Sequence, residues 1–179
     1  MKTLVYVGLV AAALLAPAVA GAEEEPWGRH QLTVGAGVLN YVDGGAPGSS
    51  ASWDLRYAYT PIWFFSVEGG YEGAAGAAPV RGAATATIIE GDVRFNPIVG
   101  YRITGYVLAG AGYGSFNMPD RPDNATVVLP VGAGADYHIS DRITAGGRFT
   151  YRFVTNDKVG MMDANADHWA LIGRVGTTF

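Results

Sequence analysis

His168-Trp169-Ala170-Leu171-Ile172-Gly173-Arg174-Val175-Gly176-Thr177-Thr178-Phe179 closes the chain, and its period decides the fold. Counting back from the terminus, Phe179, Thr177, Val175, Gly173, Leu171 and Trp169 are apolar, small or aromatic. The alternate set of Gly176, Arg174, Ala170 and His168 holds the charge, with Ile172 as its one apolar exception. A period of two is a β-strand with two unlike faces. The strand ends on a bare aromatic residue with no polar tail, so the rest of the chain must say what its apolar face meets.

Seven earlier stretches repeat the pattern: Gln31 to Leu39, Ser52 to Tyr59, Trp63 to Tyr71, Thr85 to Phe95, Tyr101 to Tyr113, Thr126 to His138, and Arg142 to Phe153. The clearest sets Ile143, Ala145, Gly147, Phe149, Tyr151 and Phe153 against Arg142, Thr144, Gly146, Arg148, Thr150 and Arg152. Turn-forming residues separate the stretches. The connections are tight at Thr60-Pro61, Asn96-Pro97 and Ser140-Asp141, and long at 41–50, 73–83, 114–124 and 154–167. Long and short alternate, so with both termini on one side every long connection falls on the other.

About eight strands of roughly nine to thirteen residues, tilted near 40°, match a hydrocarbon layer. A soluble eight-stranded calyx is the competing architecture. It would have to bury Asp54, Arg56, Glu68, Glu90, Asp92, Arg94, Asp136, Arg148, Arg152 and Arg174 together, leaving Trp53, Trp63, Phe65, Phe149 and Phe153 in water. The pattern therefore predicts an all-β fold over residues 31–179: a transmembrane, antiparallel, up-and-down barrel of eight strands with charge inside and lipid outside.

Aromatic residues gather at both ends of these strands. Tyr59, Trp63, Phe95, Tyr101, Tyr137 and Phe179 fall on the short-turn side, and Tyr41, Trp53, Tyr71, Tyr113, Tyr151, Phe153 and Trp169 on the long-loop side. Two such rings are the girdles expected at the interfaces of a bilayer. Together these features resemble the OmpA-like eight-stranded outer-membrane β-barrel family along nearly all of the chain after its apolar start. The resemblance implies that Phe179 and the last strand serve as the signal read by the barrel-assembly machinery. It also implies that outer-membrane lipid and lipopolysaccharide surround a monomer. The peptidoglycan-binding domain that follows the barrel in OmpA itself is not expected, because the sequence stops at Phe179.

At the other end, Met1-Lys2-Thr3 precedes an apolar run from Leu4 to Leu15 and the small residues Ala16 to Ala22. This reads as a secretory signal peptide over residues 1–22, cut after Ala20 or Ala22, with a short acidic periplasmic leader at 23–30. The run is short for a membrane-spanning helix and is interrupted at Pro17. Without Lys2 the chain keeps eleven Lys+Arg against sixteen Asp+Glu, an acidic balance that offers nucleic acid no footprint. There is no cysteine, so no disulfide contributes.

The lumen carries the chemistry. Its acids are Asp54, Glu68, Glu72, Glu90, Asp92 and Asp136, and its bases Arg56, Arg94, Arg102, Arg148, Arg152 and Arg174. An eight-stranded barrel has room only for side chains, so these groups should meet as a salt-bridged, occluding plug rather than line a gated ion path. A lipid-modifying enzyme would need Ser, His and a carboxylate at the outer rim. His168 points inward there, His138 lies at the opposite end, His30 precedes the first strand, and Ser50 and Ser115 fall in loops without a nucleophile motif. Asp163 to Asp167 lacks the glycine and glutamate of a calcium loop. No enzyme activity, cofactor or metal is expected. The Gly-Ala runs 35–37, 110–112 and 132–134 are expected to relieve crowding in a small barrel.

Pro130 is the one proline inside a regular strand, pointing inward. It must delete a ladder bond in a barrel that has no edge, as a bulge or as a seam beside strand six. The function expected is that of an integral outer-membrane protein with a structural, envelope or surface-loop role. The alternative is a small-solute or lipophilic-molecule channel, as in OmpW-like barrels, and an outer-membrane lipid enzyme is the third.

Overall fold

Eight antiparallel strands follow one another around a closed barrel in the computed structural model: β1 (His30–Tyr41), β2 (Ser50–Ile62), β3 (Phe65–Ala78), β4 (Gly82–Val99), β5 (Ile103–Asn117), β6 (Asn124–His138), β7 (Ile143–Thr155) and β8 (His168–Thr178). The structure describes residues 30–42, 49–78, 82–100, 102–117, 124–155 and 167–179. The expected signal peptide and residues 23–29 of the leader lie outside these. Each strand pairs with its chain neighbour, and β1 closes on β8 from Gln31↔Thr178 to Tyr41↔His168. The last rung is made by His30 and Phe179, each donating its N–H to the other's carbonyl at 3.0 and 2.9 Å.

The register fixes the barrel's dimensions. A lap from Gln31 follows the rungs through Ala58, Glu68 and Asp92 to Gly110, crosses to Pro130 in the register that Ala109↔Val131 and Gly112↔Val128 share, and runs on through Arg152 and His168 to Tyr41 of β1, ten residues further on. Eight strands with this stagger tilt by about 40° and enclose a radius of about 8 Å to the backbone. Such an interior is filled by side chains.

Alternation sorts those side chains. Val93, Phe149 and Leu171 point out and are 47%, 45% and 52% exposed, whereas the neighbouring Arg94, Arg148 and Arg152 are 3%, 1% and 0% exposed. A surface ringed by large apolar residues is stable when lipid covers it, since each such side chain is worth roughly 1.5–3 kcal/mol of transfer from water. The inward glycines leave the space the charges use. A β-carbon on Gly35 would strike Asp54, on Gly70 Arg56, on Gly110 Asp92, and on Gly146 Asp136. Each of these glycines is the cross-strand partner of the residue it accommodates.

Several expected boundaries move. The sequence places a loop at 73–83, yet Gly73 to Ala78 pairs with Gly82 to Thr87, and β5 runs on through Ser115 to Asn117. Gly and Ala have low strand preference, but backbone pairing and inward packing of Ala74 and Ala86 override it. Ser50 and Ser115 accordingly sit in β2 and β5, and His30 begins β1 instead of preceding it. The tight connections shift too. Pro61 and Pro97 lie within β2 and β4, where the register slips between Tyr59 and Ile62 and between Phe95 and Ile98. Prolines tolerated at bulges explain both slips.

Candidate functional site

The interior is stacked in three levels. In the middle, β2 supplies Asp54 and Arg56, β3 Glu68 and Glu72, β4 Glu90, Asp92 and Arg94, β6 Asp136, β7 Arg148 and Arg152, and β8 Arg174, all at most 4% exposed. Residues two apart on a strand share a face, so Arg56 Nε reaches Asp54 Oδ2 at 2.8 Å on its own strand. Its guanidinium also donates to Glu68 at 3.2 Å, to Asp92 at 3.1 Å and to Glu90. From the opposite wall Arg148 meets Glu68 and donates to Asp92 Oδ2 at 2.6 Å. Arg152 forks onto Glu90 at 2.8 Å through both Nε and Nη2, and reaches Glu72 at 2.5 Å. Arg174 grips both oxygens of Asp136 at 2.9 Å. Arg94 joins Glu68 at 3.0 Å to Asp136 at 3.2 Å. Such charges are tolerable away from water only because nearly every one meets several partners; removing a single partner costs about 3–5 kcal/mol.

Tyr106 of β5 underlies this network. The Arg94 guanidinium stacks 3.8 Å from its ring centroid and Arg174 lies 5.0 Å away, an arrangement that adds cation–π attraction to both. Beneath it, at the short-turn mouth, is a polar recess of about 70 Å³ whose lining includes Gln31, Ser66, Asn96, Thr104, His138 and Thr178, with Arg94 and Asp136 also bordering it. That is room for two or three water molecules.

The third level faces the long loops and is apolar. Leu39, Ala74, Ala86, Ile88, Phe116, Val128, Val154, Ala170 and Ile172 pack together there. His168, 0% exposed, lies among them with ring contacts to Tyr41 at 5.6 Å and Phe116 at 5.7 Å. The sequence reading expected a charged lumen throughout and missed this cap. Its signal was present, because Ile88, Val128, Val154 and Ile172 all stand in the inward phase toward the long-loop ends of their strands.

Two further corrections follow. Arg102 is exposed outside the strands, with its Nη1 3.3 Å from the Tyr137 hydroxyl, so the lumen charges are not equal in number. Tyr41 faces the apolar cap rather than the outer aromatic ring, because it is opposite inward His168. Of the expected girdle, Trp53, Tyr59, Tyr71, Phe95, Tyr113, Tyr137 and Phe179 are exposed on the outer wall. Tyr151 and Trp169 are half-covered by Phe153 and Phe149, at 4.8 and 6.2 Å between ring centroids. Trp63, 66% exposed, stands in the β2–β3 turn and borders the recess. Tyr101 lies outside the described residues.

Pro130 leaves a seam and no bulge. The β5–β6 ladder keeps one register from Ala109↔Val131 to Gly112↔Val128, but the two rungs between them are missing. The β6–β7 ladder is unbroken through Pro130↔Arg152. The absent N–H therefore faces β5 and robs the Gly110 carbonyl of its ladder donor.

Residues 9–172 match the family model described as outer membrane protein beta-barrel domain. No curated protein matches the sequence. Among solved structures, Ail, the attachment invasion locus protein of Yersinia pestis, aligns over 86% of this chain and 99% of its own with TM-score 0.61 at 15% identity. Neisserial surface protein A aligns over 84% and 96% with TM-score 0.61 at 15% identity. The outer membrane protein OprG of Pseudomonas aeruginosa aligns over 86% and 97% with TM-score 0.60 at 13% identity. At these identities the likeness concerns the fold.

Proposed function

The chain belongs to the outer membrane protein beta-barrel domain family, and from that premise we infer a structural and surface-presenting role for a barrel that conducts nothing. The observation that carries this reading is the interlocked network from Asp54 to Arg174, which fills the lumen between the polar recess and the apolar cap. Outer-membrane lipid and lipopolysaccharide are its surroundings, the last strand with Phe179 its handle for the assembly machinery, and the monomer its working form. A signal peptide at residues 1–22 delivers it. We assign it no catalytic activity: His168, the histidine nearest the outer rim, packs with Tyr41 and Phe116.

A second reading has one observation in its favour. The seam at Pro130 adjoins Val128 of the apolar cap, an arrangement suited to sideways passage of a lipophilic molecule. Single-channel recording in planar bilayers tests the first reading, and amide exchange beside Pro130 tests the second. The occluded barrel shows no open steps, and removing Arg148 or Arg152 introduces leak. A wild-type protein with steady ohmic steps would overturn the reading.

A further inference from the structure

We propose that the polar recess at the short-turn mouth is a guanidinium-binding site, and that its occupant is Arg29 of this same chain. The first observation is a surplus of charge. Among the described residues the lumen network joins six carboxyls (Asp54, Glu68, Glu72, Glu90, Asp92 and Asp136) to five guanidiniums (Arg56, Arg94, Arg148, Arg152 and Arg174). One unmatched negative charge held away from water is costly, and little screens it from a cavity opening beside the network. The recess, of about 70 Å³, is such a cavity, bordered by Arg94 and Asp136. Its potential favours a cation.

The second observation is an acceptor without a donor. Asn96 borders the recess and is 3% exposed. Its Nδ2 donates to the Trp63 carbonyl at 3.4 Å and to Ser66 Oγ at 3.2 Å, so both its hydrogens are engaged. Its Oδ1 is left buried, with nothing among the described residues donating to it. Arg94 does not serve, since its Nη atoms go to Glu68, Gln31 and Asp136 and its plane stacks on Tyr106. The Arg94 Nε also lacks a partner, and the recess has room for a water beside it. An amide oxygen beside the hydroxyls of Thr60 and Ser66, under a net negative lumen, suits a many-donor cation such as guanidinium.

The third observation is register, and it names the occupant. Arg29 stands immediately before β1. The β1–β2 ladder reaches His30↔Tyr59, so one further rung sets Arg29 opposite Thr60, which borders the recess. Alternation gives its face. His30 points out, against the rings of Tyr57 and Tyr59 at 5.9 and 5.1 Å, whereas Gln31 points in, to Thr144 at 3.2 Å and Arg94 at 3.4 Å. Arg29 continues the inward phase of Gln31. From Thr60 a line of polar groups leads to the unpaired oxygen: Thr60 Oγ1 lies 2.8 Å from Ser66 Oγ, which holds the Asn96 amide. In a barrel of about 8 Å radius, a side chain as long as arginine's spans from beside Thr60 to Asn96. Arg29 thus supplies the sixth base of the lumen and the donor that Asn96 Oδ1 lacks.

The test uses the whole protein, extracted in detergent. The chain has no cysteine, so Thr104→Cys places a single thiol in the recess. Its labelling by a small neutral thiol reagent should be slow, and Arg29→Gln should speed it about tenfold or more. Arg29→Lys, which keeps the charge, should retain part of the protection. Added methylguanidinium should slow labelling in Arg29→Gln and leave the Thr104→Cys parent unchanged. Labelling as fast in the parent as in Arg29→Gln overturns the proposal, because Arg29 then lies elsewhere. Methylguanidinium slowing both alike would make the occupant a free cation, and slowing neither would mean the recess is no guanidinium site. Should Thr104→Cys fail to fold, a double-mutant cycle of Arg29→Gln and Asn96→Ala in the cysteine-free chain replaces it. Coupling of about tenfold in the unfolding constant is expected there, and additive effects overturn the proposal. The site shares its network with the occluded barrel, yet the two fail separately: open channel steps alongside slow labelling would sink only the occlusion.

Discussion

The hydroxyl end of Tyr106 occupies the place a β-carbon on Gly134 would take, and the two residues are direct partners across β5 and β6. The ring lies flat against the wall, where Arg94 can stack on it. Gly134→Ala therefore lifts Tyr106 into the guanidiniums. The expected cost is about 1–3 kcal/mol, the usual penalty of overpacking, read from urea unfolding of the refolded barrel. Tyr106→Phe, which keeps the ring, should be tolerated in comparison.

Arg148 joins Glu68, Asp92 and, at 3.7 Å, Glu90 from the wall opposite β3 and β4. Arg148→Ala strands these acids and should destabilise the barrel by about 3–5 kcal/mol. Planar-bilayer recordings should register leak in the same variant. A variant with unchanged unfolding and unchanged conductance would show that the network neither holds nor seals the lumen.

The lipid-facing belt makes a positional prediction. Val93 lies between the two aromatic levels, whereas Ala125 lies beyond Tyr113 and Val127 on the long-loop side. Val93→Arg should cost about 2–4 kcal/mol of folding into bilayers, and Ala125→Arg about 0–1 kcal/mol. Equal costs would mean that the bilayer does not sit between these rings.

The seam beside Pro130 should be visible in amide exchange. With two rungs missing, Gly110 and Gly112, whose N–H groups face β6, should exchange faster than amides around Phe149 on β7. Pro130→Val restores a donor and should add about 0.5–1.5 kcal/mol while slowing that exchange. Uniform protection across β5, β6 and β7 would close the seam.

Period two carried most of this structure in the open. It separates Arg148 and Arg152 from Phe149 and Phe153 in the sequence alone, and it places Asp54 and Arg56 together. It failed where composition hid the period. The Gly-Ala stretch of β3 has too few large residues to show a face, and Pro61 and Pro97 read as turn centres because a bulge leaves no mark in sequence. The pairing of Arg152 with Glu72, and the distinction between Arg102 outside and Arg94 inside, required the register. No local pattern encodes a stagger of ten residues.

The glycines opposite the plug impose an order on how this protein can change. Gly35, Gly70, Gly110 and Gly146 are the empty halves of pairs whose full halves are Asp54, Arg56, Asp92 and Asp136. Once the long partner has shortened, a lineage can put a methyl or larger group at the glycine and refill the lumen. Taken first, the same step collides with a side chain that has nowhere to go. Each pair is thus a ratchet with a single passable direction, and descendants of this barrel that lose their central charges should regain bulk on the facing strand, one rung at a time.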